Sequence, residues 1–427
     1  MPDAGNRFDV LVVGAGPAGI AAACAAADSG AHVGVVDDNP GVGGQIWRGL
    51  DGQAPSTQAA EWGARFTRAG VTIISGATVI AQLAHNMIVA ETWQRALVLE
   101  FDKLILATGA RERFLPFPGW TLPGVLGAGG LQALVKSGLS VSGKRVVIVG
   151  SGPLLLAVAD YLRKHGARVL LIAEQTPPAR IRAFAMKLLG HPAKAWQALQ
   201  LRVSLAGVPY RAGMWPVAAG GSEELEWVEL FCGGRKTRVE CEFLACGFHL
   251  APNVELAELL GCELKGGFVR ANEMQETTVA GIFCAGEPVG IGGVETAIVE
   301  GQIAGYAATG KTARAQSLFG KRTAARKFAR LLEETFVLRN ELRDISASST
   351  FVCRCEDVTY ERLAQHKSWR SAKLHTRCGM GPCQGRVCGP ATEFLFGWRP
   401  ESARPPIFPA RVESLASAPA ARQSARQ

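Results

Sequence analysis

The 427-residue sequence lacks a long uninterrupted apolar run and contains no cysteine pair spaced as C-x2-C. Its first apolar stretch, "VLVVGAGPAGIAAACAAA", is broken by a Gly-Pro pair, which favours a strand, a turn and a helix over a membrane span or a secretion signal. The 11 cysteines are an odd number and six of them stand singly, so a disulfide framework is disfavoured. We expect a cytoplasmic protein that is at most peripheral to the inner face of a membrane.

Positive charge is concentrated in the C-terminal quarter. The chain carries a net charge of +9, and residues 311–427 alone hold 21 Lys and Arg against 10 Asp and Glu. A basic region can bind nucleic acid, but no recognised nucleic-acid-binding module accompanies this one. We therefore expect no nucleic-acid partner and interpret the basic region as a solvated face or a subunit contact.

A dinucleotide-binding pattern opens the chain. A β-branched strand over residues 9–13 is followed by Gly14, Gly16 and Gly19, an Ala-rich helix and a second strand that ends at Asp37. The first glycine permits a tight turn, the second lets a pyrophosphate approach the backbone, and the third lets the helix pack on the strand. The helix N-terminus faces the phosphates and Asp37 is placed to accept a ribose hydroxyl.

A second unit, "KRVVIVGSGPLLLAVADYLRKHGARVLLIAE", repeats the pattern incompletely. Gly150 and Gly152 occupy the first two glycine positions, but Leu155 replaces the third, and Glu174 ends the second strand. A leucine at this position separates the helix from the strand. Both a second nucleotide site and a unit that has lost its ligand remain open.

Two further signatures complete the set. The stretch "LILATGARERFLPFPG" predicts a buried strand that ends before Thr108 and Gly109. The stretch "TTVAGIFCAGEPVGIGGVETAIVEGQIAG" predicts a strand, then Gly286 and Glu287, and then a helix from about Val294.

Together these four pieces, over residues 7–310, resemble the two-dinucleotide-binding-domain flavoproteins with the glutathione-reductase-like α/β fold. The resemblance implies FAD in the first unit and a nicotinamide nucleotide in the second. It also implies that Glu287 binds the flavin ribitol, where the family usually has Asp. The implied cofactor-binding residues are Gly14, Gly16, Gly19, Asp37, Gly44, Gln45, Thr108, Gly109, Gly286 and Glu287 for FAD, with Gly150, Gly152 and Glu174 for the second nucleotide.

Disulfide reduction is disfavoured. Members of this fold that reduce disulfides carry a cysteine pair after the second strand or in the second nucleotide domain. Here these two places read "GVGGQIWRG" and "AEQTPPARIRAFAMK", and neither contains cysteine.

The remaining cysteines lie close together near the C-terminus. The stretches "VCRCED" and "HTRCGMGPCQGRVC" contain Cys353, Cys355, Cys378, Cys383 and Cys388. Four thiolates can hold zinc or an iron–sulfur cluster, but zinc ribbons usually use paired C-x2-C knuckles. The C-x-C and C-x4-C spacings favour a [2Fe-2S] cluster, with a zinc-stabilised binding protein as an alternative.

The segment is similar to the [2Fe-2S] domain related to bacterioferritin-associated ferredoxin. That domain ends the α subunits of heteromeric FAD-dependent amino-acid dehydrogenases, which include hydroxyproline and opine dehydrogenases, dye-linked L-proline dehydrogenases and hydrogen cyanide synthase. The shared G-M-G-x-C-Q-G-x-x-C core implies Cys353, Cys355, Cys383 and Cys388 as the ligands and leaves Cys378 spare. Spacing does not exclude a rival set in which Cys378 replaces Cys388.

The resemblance implies an electron-transferring α subunit with no catalytic residues of its own, and His249 is interpreted as structural. A D-amino-acid-oxidase-like flavoprotein β subunit would oxidise the substrate, with or without a small third subunit. Electrons would pass through flavin and the cluster to a quinone or dye. We choose D-hydroxyproline as the substrate, with opines, L-proline and glycine as rivals.

The alternative class of function is a self-contained NAD(P)H-dependent FAD/[2Fe-2S] reductase. The second site would hold NAD, an ATP-like nucleotide or nothing, and FMN could occupy a subunit interface.

The expected domains follow from these assignments. They are an FAD-binding domain over 1–125 and 245–310, a second dinucleotide-binding domain over 126–244, a connector helix over 311–344, a [2Fe-2S] domain over 345–398 that is rich in α-helix, and an extended or disordered tail over 399–427.

Overall fold

The computed structural model describes residues 6–48, 57–400 and 402–417. The strands are β1 (Arg7–Val13), β2 (Val33–Asp37), β3 (Thr72–Ser75), β4 (Thr78–Ala84), β5 (Met87–Glu91), β6 (Ala96–Leu106), β7 (Ala110–Glu112), β8 (Val125–Gly127), β9 (Arg145–Ser151), β10 (Arg168–Glu174), β11 (Tyr210–Ala212), β12 (Met214–Gly220), β13 (Trp227–Cys232), β14 (Arg235–Glu240), β15 (Phe243–Phe248), β16 (Leu250–Pro252), β17 (Leu264–Lys265), β18 (Phe268–Val269), β19 (Ile282–Cys284), β20 (Phe351–Cys353) and β21 (Val358–Thr359). The helices are α1 (Pro17–Ala27), α2 (Thr57–Arg68), α3 (Ala128–Lys136), α4 (Leu154–Lys164), α5 (Pro178–Leu188), α6 (Pro192–Ser204), α7 (Glu255–Leu259), α8 (Gly293–Ala308), α9 (Thr312–Gln316), α10 (Phe319–Thr335), α11 (Tyr360–Ala364), α12 (Trp369–Thr376), α13 (Cys388–Phe396) and α14 (Val412–Ser417).

The chain divides into two units, and the first contains the chain up to Arg111, Pro252–Ala329 and the residues from Ser402 onward. Its sheet has the strand order β3-β2-β1-β6-β5-β4, and β19 pairs with β6. Strands β3, β2, β1, β6 and β19 run parallel, whereas β4 and β5 are antiparallel additions. The mostly parallel sheet confirms the predicted α/β fold.

The register of the parallel strands brings their carboxyl ends to one edge. Val13 of β1 lies opposite Val36 of β2 and Leu106 of β6, and Leu106 lies opposite Cys284 of β19. The residues that follow these four strands therefore start from the same edge, where open α/β sheets bind their ligands.

Helices α1 and α8 pack closely in the first unit, and small residues make this possible. A Cβ atom on Gly301 would lie 2.1 Å from the Ala18 carbonyl oxygen, and one on Gly305 would lie 2.3 Å from the Ala22 carbonyl oxygen. Alanines on α1 are fully buried in the same core. The Ala-rich and Gly-rich sequences of the two helices thus determine their short separation.

The second unit contains Glu112–Ala251 and Arg330–Glu401. Its parallel sheet has the order β11-β10-β9-β15-β8, and a three-stranded antiparallel sheet has the order β12-β13-β14. The predicted separate [2Fe-2S] domain lies within this unit, because its residues contact those of the second dinucleotide fold. Trp120 Nε1 donates to the Phe351 carbonyl oxygen at 2.6 Å, and Ser346 Oγ donates to the Pro116 carbonyl oxygen at 2.6 Å.

The expected single connector helix over 311–344 is divided in the structure. Helices α9 and α10 are separated by residues 317–318, and a 3₁₀ turn spans Asn340–Asp344. The chain leaves α10 after Thr335 because the Phe336 carbonyl accepts hydrogen bonds from side chains of the second unit.

Part of the expected extended tail packs against the first unit. Ile407 is buried and its backbone N–H donates to the Ile80 carbonyl oxygen at 2.9 Å, while Arg411 Nε donates to Glu91 Oε1 at 3.1 Å. Residue 401 and residues 418–427 of the tail lie outside the described residues. In the described part of the chain, no helix is both long enough and apolar enough to cross a bilayer.

The α1–α8 contact gives a direct test of the packing. We expect Gly301→Ala to destabilise the protein by about 1–3 kcal/mol, because the added methyl group overlaps the Ala18 carbonyl. Gly320→Ala is the matched control, since a Cβ there meets no atom within 4 Å, and we expect it to be neutral or stabilising by about 0.5–1 kcal/mol. Urea unfolding measures both changes, and equal effects would contradict the packing account.

Candidate functional site

The first glycine loop follows β1 and leaves an open surface at its centre. Gly14 has a φ of +106° and a Cβ there would lie 2.3 Å from the Ala107 carbonyl oxygen. A Cβ on Gly19 would lie 1.8 Å from the Gly14 carbonyl oxygen, whereas one on Gly16 would meet no atom within 4 Å. Two of the predicted glycines therefore permit the close packing, and the third borders free space at the start of α1.

The carboxylate of Asp37 holds this loop. Ala15 N–H donates to Asp37 Oδ2 at 2.5 Å, and Asn39 N–H donates to Asp37 Oδ1 at 2.7 Å. Asn39 Nδ2 also donates to Asp37 Oδ1 at 2.9 Å. Because a carboxylate can accept about four hydrogen bonds, Asp37 retains capacity for about one more, from a ribose hydroxyl.

Residues 43–48 lie beside the same loop. Gly44 has a φ of +59°, and a Cβ there would lie 2.9 Å from the Gly16 Cα. One NH2 group of Arg48 donates to Gln45 Oε1 at 3.3 Å, and the same group donates to Asn39 Oδ1 at 2.8 Å. The Arg48 Nε atom is buried and has no acceptor. Gly44 thus allows a close approach to the loop, and Gln45 orients a cation that the sequence analysis overlooked.

A cavity of about 550 Å³ opens beyond the end of β2. It is lined by residues 40–42, by one face of α2, and by residues 71, 73 and 75. An elongated dinucleotide bound at the Gly16 surface would have room for its adenine end in this cavity.

The residues after β6 form the next wall of the site. Thr108 Oγ1 donates to the Asn253 carbonyl oxygen at 2.6 Å, and Asn253 Nδ2 donates to the Thr108 carbonyl oxygen at 2.8 Å. Asn253 N–H donates to the Gly109 carbonyl oxygen at 3.0 Å. These reciprocal bonds hold Thr108 and Gly109 at the edge where the first loop lies.

Glu287 carries the feature that most directly indicates a ligand-binding group. Its Oε1 atom accepts from Gly293 N–H at 3.0 Å, whereas its Oε2 atom is buried and unpartnered. Burial raises the pKa of Glu287 to about 7, although the Gly293 and Gly292 N–H groups oppose this. A buried carboxylate oxygen without a partner is costly, and a ligand hydroxyl would satisfy it.

Glu300 was missed in the sequence analysis although it positions the Gly286–Glu287 turn. The Glu300 side chain is buried in α8, and its Oε2 atom accepts from Gly286 N–H at 3.0 Å. Its Oε1 atom accepts from Arg326 Nε at 2.8 Å and from an Arg326 NH2 group at 2.6 Å. A single acid within the apolar middle of a helix was the available signal.

These observations fit FAD. The open Gly16 surface suits a pyrophosphate, Asp37 suits a ribose, and the unpartnered Glu287 oxygen suits a hydroxyl of the flavin side chain. All of them belong to the first unit and meet at one sheet edge.

The second glycine loop differs from the first in its backbone, since φ is +94° at Gly152 and −77° at Gly16, and it is also covered. Gly150 has a φ of +145° and packs on Gly247, with a Cβ position 2.1 Å from the Gly247 carbonyl oxygen. A Cβ on Gly152 would lie 3.7 Å from the Phe336 ring, in contrast to the free space at Gly16. Phe336 therefore packs against the second loop, where the first loop is open.

The segment over residues 336–339, which we call the cover segment, is held by several hydrogen bonds. Ser151 Oγ donates to the Phe336 carbonyl oxygen at 2.9 Å, and His249 Nε2 donates to the same oxygen at 2.5 Å. Gln175 Nε2 donates to the Val337 carbonyl oxygen at 3.2 Å, and Arg339 N–H donates to Gln175 Oε1 at 3.1 Å. The contact gives His249 the structural role that was expected of it.

Glu174 is likewise covered by the protein. It is 0% exposed, its Oε2 atom accepts from Gly152 N–H at 2.7 Å and its Oε1 atom accepts from Thr176 N–H at 2.8 Å. Burial raises the pKa of this carboxyl group. Leu155 is also buried, and a Cβ on Gly247 would lie 3.0 Å from it, so the glycine on β15 accommodates the leucine on α4. A nucleotide would have to displace the cover segment before reaching Glu174.

The five C-terminal cysteines converge in the second unit. Cys353 ends β20, Cys388 begins α13, and their Sγ atoms lie within 4.8 Å of each other and of Cys378 Sγ. Cys383 hydrogen-bonds to Cys388 and to the exposed Cys355. The fold thus gathers every thiol of the segment, including the one that the sequence analysis considered spare.

A cavity of about 220 Å³ distinguishes among these thiols. Cys353, Cys355, Cys383 and Cys388 all line it, and Cys378 does not. Cys378 is fully buried and its Sγ lies beside those of Cys353 and Cys388 in the triad described above. The opposite wall contains Phe114, Trp120 and residues 125–127.

The thiols and nearby N–H groups favour the thiolate form at Cys353 and Cys383, whereas the pKa values of Cys355, Cys378 and Cys388 are raised. Hydrogen bonds from Cys378 and Cys388 lower the pKa of Cys353 to about 2, and the bond from Cys388 lowers the pKa of Cys383 to about 5. The hydrogen bond between Cys378 and Cys353 raises the pKa of Cys378 to about 12, because the Cys378 thiol is the donor. Backbone N–H groups of Gly379 and Gly385 also donate to Cys353 and Cys383 respectively. Clustered cysteine sulfurs with backbone N–H donors are the kind of donor set that holds iron–sulfur clusters.

The glycine-rich loop between the cysteines is shaped by close contacts. Gly379 has a φ of +79° and a Cβ there would lie 2.7 Å from the Trp369 ring, while one on Gly381 would lie 2.3 Å from the Cys355 Cβ. A larger residue at either position would separate the loop from Trp369 or from Cys355. The glycines are therefore required for the convergence of the thiols.

Glu112 is a further residue that the sequence analysis missed. Its carboxylate accepts from Gly129 N–H at 2.7 Å and from Gly130 N–H at 2.9 Å, at the start of α3. Burial raises the pKa of Glu112, and the Gly129 and Gly130 N–H groups oppose this. The carboxylate fixes the β8–α3 turn, and Gly127 of that turn lines the cysteine cavity.

Comparison with known proteins identifies relatives over almost the whole chain. A family model described as pyridine nucleotide-disulphide oxidoreductase matches residues 8–301. An opine oxidase subunit from Agrobacterium tumefaciens is 32% identical, with 98% of this chain and 93% of that protein covered. Hydrogen cyanide synthase subunit HcnB of Pseudomonas aeruginosa is 31% identical, with 88% of this chain and 90% of that protein covered.

Solved structures share the fold. L-proline dehydrogenase from P. horikoshii superimposes with a TM-score of 0.68 at 17% identity, over 96% of this chain and 79% of that chain. Thioredoxin reductase from T. acidophilum gives a TM-score of 0.57 at 20% identity, over 72% of this chain and 99% of that chain.

The cover segment predicts that the second glycine loop does not bind a dinucleotide. We expect NADH and ADP-ribose to give no binding heat with the FAD-loaded wild-type chain, since Phe336 contacts Gly152. Phe336→Ala should allow measurable binding of ADP-ribose, whereas Phe231→Ala, a phenylalanine of β13 in the same unit, should not. Tight binding of NADH to the wild-type chain by calorimetry would contradict this account.

Proposed function

This chain belongs to the pyridine nucleotide-disulphide oxidoreductase family, and on that premise we propose that it is the electron-transferring α subunit of a heteromeric FAD-dependent amino- or imino-acid dehydrogenase. The contrast between the two glycine loops carries the proposal, because the first is open and the second is covered by Phe336. In addition, five thiols converge elsewhere in the chain. Such a chain has a flavin site and a candidate metal site, and its second glycine loop is not freely accessible to a nicotinamide nucleotide.

The relatives support a role within a larger assembly. The two relatives described above, matched over 93% and 90% of their own length, are named as subunits of opine oxidase and hydrogen cyanide synthase. We propose that the substrate is oxidised in a partner flavoprotein resembling D-amino-acid oxidase. The described part of this chain presents no set of acid, base and nucleophile beside Glu287 that would activate an amine.

We propose that the cysteines hold a [2Fe-2S] cluster through Cys353, Cys355, Cys383 and Cys388. These four line the same cavity, whereas Cys378 is buried and does not line it. When bound, FAD accepts electrons in pairs and a [2Fe-2S] cluster passes them singly, which suits transfer to a quinone or dye acceptor.

Cysteine substitutions test the ligand set. We expect Cys388→Ser and Cys355→Ser to abolish the visible and EPR signals of the cluster, because each removes one of the thiolates that line the cavity. Cys378→Ser is the matched control from the same segment and should retain both signals. Iron and acid-labile sulfide analysis, with circular dichroism to verify folding, completes the comparison.

Two results would contradict this assignment. Loss of the cluster in Cys378→Ser with retention in Cys388→Ser would establish the rival ligand set. If the wild-type protein, purified anaerobically, contained one zinc ion and no iron, the site would be a structural zinc site and not an iron–sulfur cluster.

We propose D-hydroxyproline as the substrate of the assembly, with opines, L-proline and glycine as the alternatives. The choice rests on the likeness of the "LPFPGWTLPGVLGAGG" region to hydroxyproline and opine dehydrogenase α subunits. In this chain that region provides Trp120 and residues 125–127 of the cysteine cavity, so it lies at the proposed electron exit.

Activity of the co-expressed assembly tests the function. We expect the chain, produced with the flavoprotein encoded in a neighbouring reading frame, to reduce a dye with D-hydroxyproline as donor. A panel of opines, L-proline and glycine should give lower kcat/KM values. The chain alone should be inactive with every amino acid, and activity of the chain alone would contradict its proposed role in a heteromeric enzyme.

The self-contained NAD(P)H-dependent reductase is the alternative function. The contact between Phe336 and Gly152 disfavours it, because hydride transfer from NAD(P)H requires the nucleotide to bind the second fold. We propose a cytoplasmic location for the assembly.

A further inference from the structure

Helices α5 and α6 expose large apolar side chains in the second unit. Met186, Leu189, Trp196, Leu199 and Val203 are 70%, 69%, 61%, 52% and 67% exposed respectively. We call these five residues the α5–α6 surface. Helix α6 contains no buried residue at all, so its apolar side chains do not contribute to the core. Exposed apolar groups of this size mark an interaction surface.

The spacing of these residues places them on defined helix faces. Trp196, Leu199 and Val203 follow each other at three and four residues, which aligns them along one side of α6. Met186 and Leu189 lie near the end of α5, three residues apart, and α5 contacts α6. The two helices therefore present a pair of apolar stripes joined by a short turn.

The charge around this surface has one sign. From Gln175 to Ser222 the sequence contains neither Asp nor Glu. The cationic residues of the two helices are Arg180, Arg182, Lys187, Lys194 and Arg202. Four of these residues are exposed, and Lys194 is half-buried.

We propose that the α5–α6 surface binds a bilayer that contains anionic phospholipids. An interfacial helix combines Lys and Arg on its polar side with Trp, Leu and similar residues on its apolar side, and lies in the plane of the headgroups. Each Lys or Arg near an anionic leaflet adds to the attraction. Both features are present here, and α5 and α6 are too short to span a bilayer, so they would bind peripherally.

Charge also disfavours a second copy of the chain, or another protein, as the occupant of the α5–α6 surface. A second copy of the chain, paired through the same surface, would place five cationic residues against five others, which is repulsive. Protein interfaces are depleted of lysine at their centres, whereas Lys187 lies among the exposed apolar residues of this surface. The anionic bilayer is the occupant that complements both the charge and the apolar stripes.

Vesicle flotation with the full-length chain tests the proposal. We expect the chain to float with vesicles of phosphatidylcholine and about one-third phosphatidylglycerol, and to remain unbound with phosphatidylcholine alone. Raising the salt concentration should weaken the binding. The test measures no activity, so its outcome is independent of the proposed dehydrogenase function.

Two sets of variants examine the two contributions separately. Lys187→Gln with Arg202→Gln should weaken binding about 25-fold, since each cationic residue near an anionic surface contributes about 1 kcal/mol, a factor of about five. The charge-matched control is Arg95→Gln with Lys265→Gln, at exposed positions of the first unit, which should leave binding unchanged. Trp196→Gln should weaken binding, whereas Trp93→Gln, at a side chain that is 92% exposed, should not.

Several outcomes would overturn the proposal. Equal flotation with neutral and anionic vesicles, or no flotation at all, would exclude an anionic bilayer as the occupant. Variants of α5 and α6 that bind vesicles as well as their controls would assign the binding to another surface. A dimer that Trp196→Gln dissociates, or a partner protein that it releases from the purified assembly, would establish a protein interface instead.

Discussion

The parallel register of β1, β2, β6 and β19 is the constraint on which the cofactor site depends. Residues that are far apart in sequence follow these strands, and the register places Gly14, Asp37, Thr108 and Glu287 at the same edge. Close packing of α1 on α8 then fixes the two helices that flank this edge. The strand alignment therefore brings the functional side chains together, because each of them comes soon after the carboxyl end of its strand.

The same supersecondary pattern has opposite outcomes in the two units. At Gly16 the backbone borders free space and Asp37 retains acceptor capacity, whereas at Gly152 the Phe336 ring and the buried Glu174 occupy the corresponding positions. The cover segment replaces a bound nucleotide with internal hydrogen bonds to Ser151, His249 and Gln175. We propose that this contact restricts the chain to one dinucleotide, which would direct electron entry toward a protein partner.

Much of this could be predicted from the sequence because local chemistry determines it. The glycine spacing predicted the first loop, and the β-branched runs predicted the strands around it. The cover segment could not be predicted, because contacts between residues about 185 positions apart depend on tertiary packing. Glu300 and Glu112 were missed for a related reason: a buried acid shows its purpose only when the N–H groups it accepts from are located. The role of Cys378 shows the limit of spacing, since three cysteines at intervals of five are equivalent in sequence. The cavity, which four thiols line and the fifth does not, separates them in space.

Anaerobic absorbance and EPR of the flavin-loaded chain test the central claim most directly. The account predicts that NADH leaves the visible flavin band unchanged, because the second loop is covered. An amino-acid donor should bleach the band and produce the signal of a reduced cluster only when the partner flavoprotein is present. Rapid bleaching by NADH in the absence of the partner would contradict the account.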